Sequence, residues 1–181
     1  MFQAVLLGLC ACLSSMPGLG GTTIGNYTLG RPLVAGLIVG IILGDIRSGI
    51  IIGAAIQVIY IALVTPGGTV SADVRAVSYI GIPLAICAVN SLGLDPATSQ
   101  AQSMAAALGA AVGTLGTVLF YGTATMNLIW QHIGWKAVEE GKFHRLYMVD
   151  MGLPWISHLV CSFLPTVVIT MAGAGMVDLM K

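Results

Sequence analysis

The chain has 181 residues, of which 57% are hydrophobic and 8% are charged, and its mean hydropathy is +0.96. A soluble domain carries about a quarter charged residues, so this composition excludes an ordinary soluble domain and indicates an integral membrane protein. The length leaves room for about five or six membrane-depth segments in one unit. The formal net charge is zero, so no basic surface favours nucleic acid or anionic lipid headgroups.

The first part of the chain contains three apolar runs that are too short to span a membrane as simple helices. Residues 1–30 include no Lys or Arg, so we expect no cleaved signal peptide. Phe2–Leu13, Leu33–Gly44 and Gly49–Val64 would reach about 18, 18 and 24 Å as helices, against a hydrocarbon core of about 30 Å. Residues 1–75 are therefore predicted to form re-entrant hairpins or broken helices, which also point to a transporter's binding site.

The next elements are more regular. Ala76–Leu94 is uncharged and long enough to cross the membrane, and Pro83 is expected to kink it. Asp95 followed by Pro96 is typical of an N-cap with proline at the first helical position, from which a helix runs through Ala101–Tyr121 and beyond.

The densest group of charges lies near residue 140 and sets the expected orientation. We predict a polar helix end and loop at 130–150, where Lys136, Lys142 and Arg145 make this region the best cytoplasmic candidate. Leu153–Ala174 is the last predicted span. Asp95 then lies outside, and the helix that follows Asp73 starts near the cytoplasmic side. The predicted fold is an all-α integral membrane protein, with transmembrane helices at 76–181 and re-entrant or broken-helix hairpins in the N-terminal half.

Four charged residues interrupt the most apolar part of the chain, and glycines recur at regular intervals. One charged side chain at the bilayer centre costs roughly 3 kcal/mol, so Asp45, Arg47, Asp73 and Arg75 are expected to pair, to lie at an interface or to line a wet cavity. Glycines recur at intervals of four residues, which favours close helix packing and, as the alternative, backbone exposed to a substrate path. These positions are Gly36, Gly40, Gly44, Gly49, Gly53, Gly109 and Gly113.

Asp73 and Gln57 are the candidate binding residues. Asp73 lies in a polar, helix-breaking insert, Thr65–Arg75, and Gln57 lies on the apolar run that leads into it. A carboxylate and an amide beside unwound backbone offer several hydrogen bonds at one point, which suits a polyhydroxylated ligand. The alternative is structural: Asp73 pairs with Arg75 or caps the next helix.

The order of these motifs resembles one family. Three motifs follow one another: the block Arg31–Asp45 (RPLVAGLIVGIILGD), the block Gly49–Gln57 (GIIIGAAIQ), and then Gly67, Gly68 and Asp73. This order resembles the IIC subunit of mannose/sorbose-family bacterial phosphotransferase permeases. The match covers about the first half of the chain. The resemblance implies a subunit that carries a hexose-type sugar across the bacterial cytoplasmic membrane by an elevator-like movement. It also implies a multimeric assembly with a IID membrane subunit, while soluble IIA and IIB proteins phosphorylate the sugar.

The resemblance assigns roles to several residues. Gln57 and Asp73 match polar positions of the family motif and are expected to contact the sugar, whereas Asp45 matches a position at a tight turn. Asn26 stands where relatives often have an acidic residue before the Arg-Pro pair, and we expect it to act as a neutral hydrogen-bonding group. Family members continue for further membrane segments, so the chain is expected to be short for its family.

Two other classes of function stay open at this point. One is a membrane scaffold whose charges form structural pairs, and the other is an ion-coupled carrier that uses Asp73 as its titrating group. The sequence predicts no catalytic residue, cofactor or metal ion, because the histidines are isolated. The cysteines are expected to be small buried hydrophobes, with a zinc or redox site as the alternative.

Overall fold

Helices are the regular secondary structure in the part of the chain that the structure describes. This computed structural model describes residues 1–15, 22–63 and 69–179. The predicted all-α class is confirmed, since these ranges contain no strand. The elements, in chain order, are α1 (Phe2–Ser15), a π-helical segment (Thr22–Leu29), α2 (Pro32–Leu43), α3 (Ile46–Ile59), α4 (Val74–Ser91), α5 (Ser99–Glu139) and α6 (His144–Gly173, with helical backbone to Leu179).

Helix length separates the two halves of the chain as predicted. Among the described residues, α4, α5 and α6 are long and apolar enough to cross a membrane. In contrast, α1, α2 and α3 have 14, 12 and 14 residues, or about 18–21 Å at 1.5 Å per residue. Re-entry of the short helices stays a prediction. The Thr65–Gly68 part of the polar insert lies outside the described residues.

Three π-helical turns occur in the long helices, each just before a proline. Val77–Gly81 precedes Pro83 in α4, and α6 contains Met148–Gly152 before Pro154 and Leu159–Phe163 before Pro165. Proline lacks an N–H group and its ring clashes with the carbonyl four residues earlier. In each case that carbonyl lies in the widened π turn, which accommodates the proline within a continuous helix.

Glycine packing joins α2 and α3 into a tight antiparallel hairpin. A Cβ added to Gly49 would lie 2.7 Å from the Cα of Gly40, and one added to Gly53 would lie 2.9 Å from the Cα of Gly36. The close packing predicted from the four-residue spacing is therefore confirmed for this hairpin. Gly44 ends α2 with φ 80°, a conformation that favours glycine.

A polar cluster closes the end of the molecule where α2 and α3 join. Asp45 caps α3, accepting the backbone N–H of Ser48 at 3.1 Å, and it also accepts the Asn90 side chain at 3.1 Å. Hydrogen bonds to Ser48, with help from Asn90 and Arg47, lower the pKa of Asp45. Arg47 reaches across to Asp95 at 3.0 Å. The structural role expected for Asp45 at a tight turn is confirmed.

Two predicted boundaries around α5 were wrong. The N-cap is Thr98, whose hydroxyl accepts the N–H of Ala101 at 3.3 Å, whereas Asp95 accepts the N–H of Ala97 at 2.9 Å in the preceding turn. The loop predicted at 130–150 is also too long, because α5 continues to Glu139 and α6 begins at His144. Lys136 and Glu139 are exposed on α5, so their charges do not interrupt the helix.

Candidate functional site

A polar cavity of about 370 Å³ lies at the other end of α3 and α4. Three parts of the chain meet there: the N-terminus of α4, the end of the π-helical segment and the middle of α5. Its size is within the range of small-molecule sites. The lining residues are Asn26, Tyr27, Arg31, Leu63, Val70, Ala72, Asp73, Val74, Arg75 and Phe120.

Asp73 is the acidic residue of this lining, and its side chain is buried. Oδ1 accepts hydrogen bonds from the backbone N–H groups of Arg75 and Ala76, at 3.0 and 3.4 Å, and from Arg75 Nε at 3.1 Å. Asp73 therefore caps α4 and pairs with Arg75, as its structural alternative predicted, while it also lines the cavity. None of the described residues donates to Oδ2, which leaves one carboxylate oxygen for a ligand.

The glycine face of α5 holds Asp73 in place. The backbone N–H of Asp73 donates to the carbonyl of Gly113 at 2.9 Å. A Cβ added to Gly116 would lie 3.2 Å from the Cβ of Asp73 and 2.6 Å from that of Ala76. Only glycines at these positions let α5 approach the start of α4 so closely. Tyr60, at the end of α3, donates to the carbonyl of Gly109 at 3.2 Å and extends the same contact.

Two arginines of the cavity lie against aromatic rings. The guanidinium carbon of Arg75 is 5.2 Å from the centroid of the Phe120 ring, and that of Arg31 is 5.5 Å from the centroid of the Tyr27 ring. Both distances fall within the range of cation–π interactions. These contacts restrict the orientation of the two guanidinium groups at the cavity wall.

Hydrogen bonds to the start of α4 position the segment that carries Asn26 and Arg31. Tyr79 donates through its hydroxyl to the carbonyl of Leu29 at 2.8 Å, and Ser78 donates to the carbonyl of Gly30 at 2.9 Å. Both donors lie on a buried face of α4. The π-helical segment is therefore fixed to the same helix that Asp73 caps.

The structure brings together two of the three predicted site residues. Asn26 and Asp73 line the same cavity, whereas Gln57 lies on α3 outside its lining. The Oε1 atom of Gln57 is buried and has no hydrogen-bond partner among the described residues. Sequence reasoning missed Phe120 as a lining residue, and for Arg75 it left open an ion pair, an interface or a wet cavity. The Arg31-Pro32 pair of the family motif could have indicated a role for Arg31 in the site, but no local pattern indicated one for Phe120.

The described ranges contain no cluster of the metal-binding type. Within them, no group of three or more His, Cys, Asp or Glu side chains is placed to hold a metal ion. His158 is buried, and its Nδ1 lies 2.9 Å from the hydroxyl of Ser15. This contact gives His158 the hydrogen bond that a buried imidazole needs.

The fold and the cavity define an all-helical membrane protein with a polar ligand-sized site between its helices. Comparison with known proteins gives the family. Residues 1–181 match the family described as "PTS system sorbose-specific IIC component". The chain belongs to this family, and the resemblance stated from its motifs is confirmed.

Individual relatives agree with the family. The sorbose-specific EIIC component of Klebsiella pneumoniae is 25% identical over 178 residues, which cover 98% of this chain and 62% of that protein. The mannose-specific EIIC component of Escherichia coli K12 is 31% identical over 139 residues, covering 77% of this chain and 47% of that protein. This chain thus matches between about half and two thirds of the length of these relatives.

A solved structure supports the fold. A chain in the cryo-EM structure of the mannose transporter ManYZ in complex with microcin E492 superposes with a TM-score of 0.72 at 24% identity. The superposition covers 99% of this chain and 67% of that one. A second solved structure, titled as a membrane protein, gives the same TM-score at 23% identity.

Proposed function

We propose that this chain is the sugar-translocating IIC subunit of a phosphoenolpyruvate-dependent phosphotransferase system, and that it carries a hexose-type sugar. The observation that supports this most is the cavity that Asn26 and Asp73 share, in a chain of the sorbose-specific IIC family. The relatives named for mannose and sorbose support the class of substrate. We place the protein in the bacterial cytoplasmic membrane as a multi-pass protein.

The cavity offers the groups that a dehydrated sugar requires. The free oxygen of Asp73 accepts a sugar hydroxyl, and the exposed amide of Asn26 both donates and accepts. The ring of Phe120 supplies an apolar surface for the carbon skeleton. We assign Gln57 to a second contact, made when the sugar or the hairpin moves, because its buried Oε1 needs a donor.

Translocation is proposed to occur as a rigid-body shift of the α2–α3 hairpin with the elements attached to it. The glycine contacts between α2 and α3 keep the hairpin together as one body. Smooth glycine and alanine surfaces also allow packed helices to slide, which is the elevator-like movement implied by the family resemblance. Sugar affinity must stay modest, because the sugar has to leave the cavity.

Partner proteins are proposed to complete the system. A IID membrane subunit assembles with this chain, several copies form the full complex, and soluble IIA and IIB proteins supply the phosphoryl group. That group passes to a sugar hydroxyl, which loses its proton, and the charged product is then retained in the cell. In this proposal the chain binds and carries the sugar and contributes no group to phosphoryl transfer.

Sugar uptake by a strain that depends on this protein tests the proposal. Asp73→Asn keeps the shape and the backbone cap but removes the charge, and we expect apparent sugar affinity to fall by about ten- to a hundredfold. Asp45→Asn is the matched control, because Asp45 also caps a helix with its carboxylate but lies at the N-terminus of α3, away from the cavity. Asn26→Ala tests the same cavity through an exposed side chain whose loss leaves packing intact.

The outcomes separate this function from its rivals. A permease subunit loses uptake in Asp73→Asn while co-purification with the IID subunit persists. A scaffold loses co-purification instead. An ion-coupled carrier takes up sugar with a proton gradient in the absence of phosphoenolpyruvate, and that result would contradict the proposal.

A further inference from the structure

The charges that line the cavity do not balance. Arg31 and Arg75 contribute two positive charges, and Asp73 contributes the only negative charge among the described lining residues. Of the guanidinium nitrogens of Arg75, only Nε contacts Asp73. No carboxylate in the described ranges pairs with Arg31 or with the terminal nitrogens of Arg75.

A neutral sugar does not need this excess of positive charge. The carboxylate and the amide of the cavity already provide donors and acceptors for hydroxyl groups. Two guanidinium groups in a partly desolvated site favour an anion instead, because charge interactions strengthen as water is removed. Arginine is also the side chain whose fork of N–H groups matches phosphate oxygens.

The rings beside the two arginines make the pair suitable for such recognition. Arg31 lies over Tyr27 and Arg75 lies over Phe120, so both guanidinium groups are oriented before a ligand arrives. Arg75 is fixed further by its bond to Asp73, and its side chain is only 18% exposed. Less side-chain entropy is then lost on binding.

The position of the cavity along the membrane normal fits a phosphorylated ligand. α4 extends from Asp73 at the cavity to Asn90 in the polar cluster around Asp45 and Asp95. Its 18 residues span about 27 Å, close to the thickness of a bilayer core. With Asp95 outside, as the charge pattern predicts, the cavity lies at the cytoplasmic side, where the sugar is phosphorylated.

We propose that Arg31 and Arg75 form a phosphoryl-binding pair, so that the cavity holds the hexose monophosphate product as well as the hexose. This inference rests on the proposed function and extends it. The product competes with the incoming sugar for the cytoplasm-facing cavity, and uptake slows as hexose phosphate accumulates. The ligand class is a phosphate monoester of a sugar, with Asp73 and Asn26 on its hydroxyls and the two arginines on its phosphate.

Binding measurements on the purified protein in detergent test this inference. The probes are mannose, fructose, their 6-phosphates and inorganic phosphate. At low ionic strength we expect a 6-phosphate to bind about tenfold or more tightly than its parent sugar, and added salt to reduce that advantage. Arg31→Gln should lower 6-phosphate affinity by about ten- to a hundredfold and lower hexose affinity by a clearly smaller factor.

A conservative variant and a control variant complete the test. Arg75→Lys retains the positive charge beside Asp73, so the protein is expected to fold, but it removes the arginine fork and should weaken 6-phosphate binding about tenfold. Arg47→Gln is the control, because Arg47 lies in the polar cluster at the other end of α3. It should change neither affinity.

Each result supports or overturns the inference. Equal affinity for hexose and hexose 6-phosphate overturns it, and so does an Arg31→Gln effect that is the same for both. Inorganic phosphate that binds as tightly as the 6-phosphates also overturns it, because the site would then recognise free phosphate. If no sugar binds and none is taken up, the proposed function itself fails; if sugars bind without preference for their phosphates, only this inference fails.

Discussion

Gly116→Ala tests whether close approach of α5 sets the position of Asp73. The added Cβ would lie 2.6 Å from the Cβ of Ala76 and 3.2 Å from that of Asp73. Unstrained carbon contacts lie at about 3.5–4.0 Å, so α5 and the start of α4 must separate by about 1 Å. Such overpacking costs about 1–3 kcal/mol, and alanine regains about 1 kcal/mol of helix propensity, which leaves a net loss of about 0–2 kcal/mol.

The effect on transport should exceed the effect on stability. Separation of the helices weakens the bond from Asp73 N–H to the Gly113 carbonyl and moves the carboxylate relative to Asn26. We expect apparent sugar affinity in an uptake assay to fall by about tenfold or more, while thermal unfolding in detergent shifts by a few degrees. Gly81→Ala is the matched control, because its added Cβ would make an ordinary contact at 3.6 Å. Normal sugar affinity in Gly116→Ala, or equal damage from Gly81→Ala, would refute this reasoning.

Two further predictions concern the α2–α3 hairpin. In Gly49→Ala the added Cβ would lie 2.7 Å from the Cα of Gly40 and against the carbonyl oxygen of Gly36, so we expect a loss of about 1–3 kcal/mol in unfolding free energy; an unchanged midpoint in detergent unfolding would contradict the close packing. Folding lowers the pKa of Asp45, so this carboxylate stabilises the folded protein above the pKa that it has in the unfolded chain, about 4. The stabilisation is lost as pH falls through the folded-state pKa. The melting temperature should therefore fall more steeply below about pH 4 in the native protein than in Asp45→Asn, and superimposable acid profiles would count against this role.

The sequence was sufficient for the features that depend on local spacing. Glycines at intervals of four residues predicted close helix packing, which the α2–α3 hairpin shows. The family resemblance placed Asp45 at a tight turn, where it caps α3. Run length separated the short helices from the long ones. The polar insert that contains Asp73 predicted a candidate site, because buried polar groups without local partners need an explanation. Asp73 lines the cavity, and its contact with a sugar stays a prediction.

Other features depended on tertiary contacts that no local pattern carries. Phe120 reaches the cavity only because the glycines of α5 bring its middle turns against the start of α4. The extension of α5 to Glu139 was missed, because charged residues were taken to end a membrane helix although they are compatible with an exposed helix. Thr98 was missed as the N-cap, because Asp95 and Pro96 gave the same signal three residues earlier.

The account depends most on the sugar occupying the cavity beside Asp73. The most direct measurement is a structure of the protein solved with its transported sugar and compared with one solved without it. We predict additional density between Asn26 and Phe120, with a sugar hydroxyl within hydrogen-bond distance of an Asp73 oxygen. Sugar density elsewhere in the protein, with this cavity unchanged, would contradict the account.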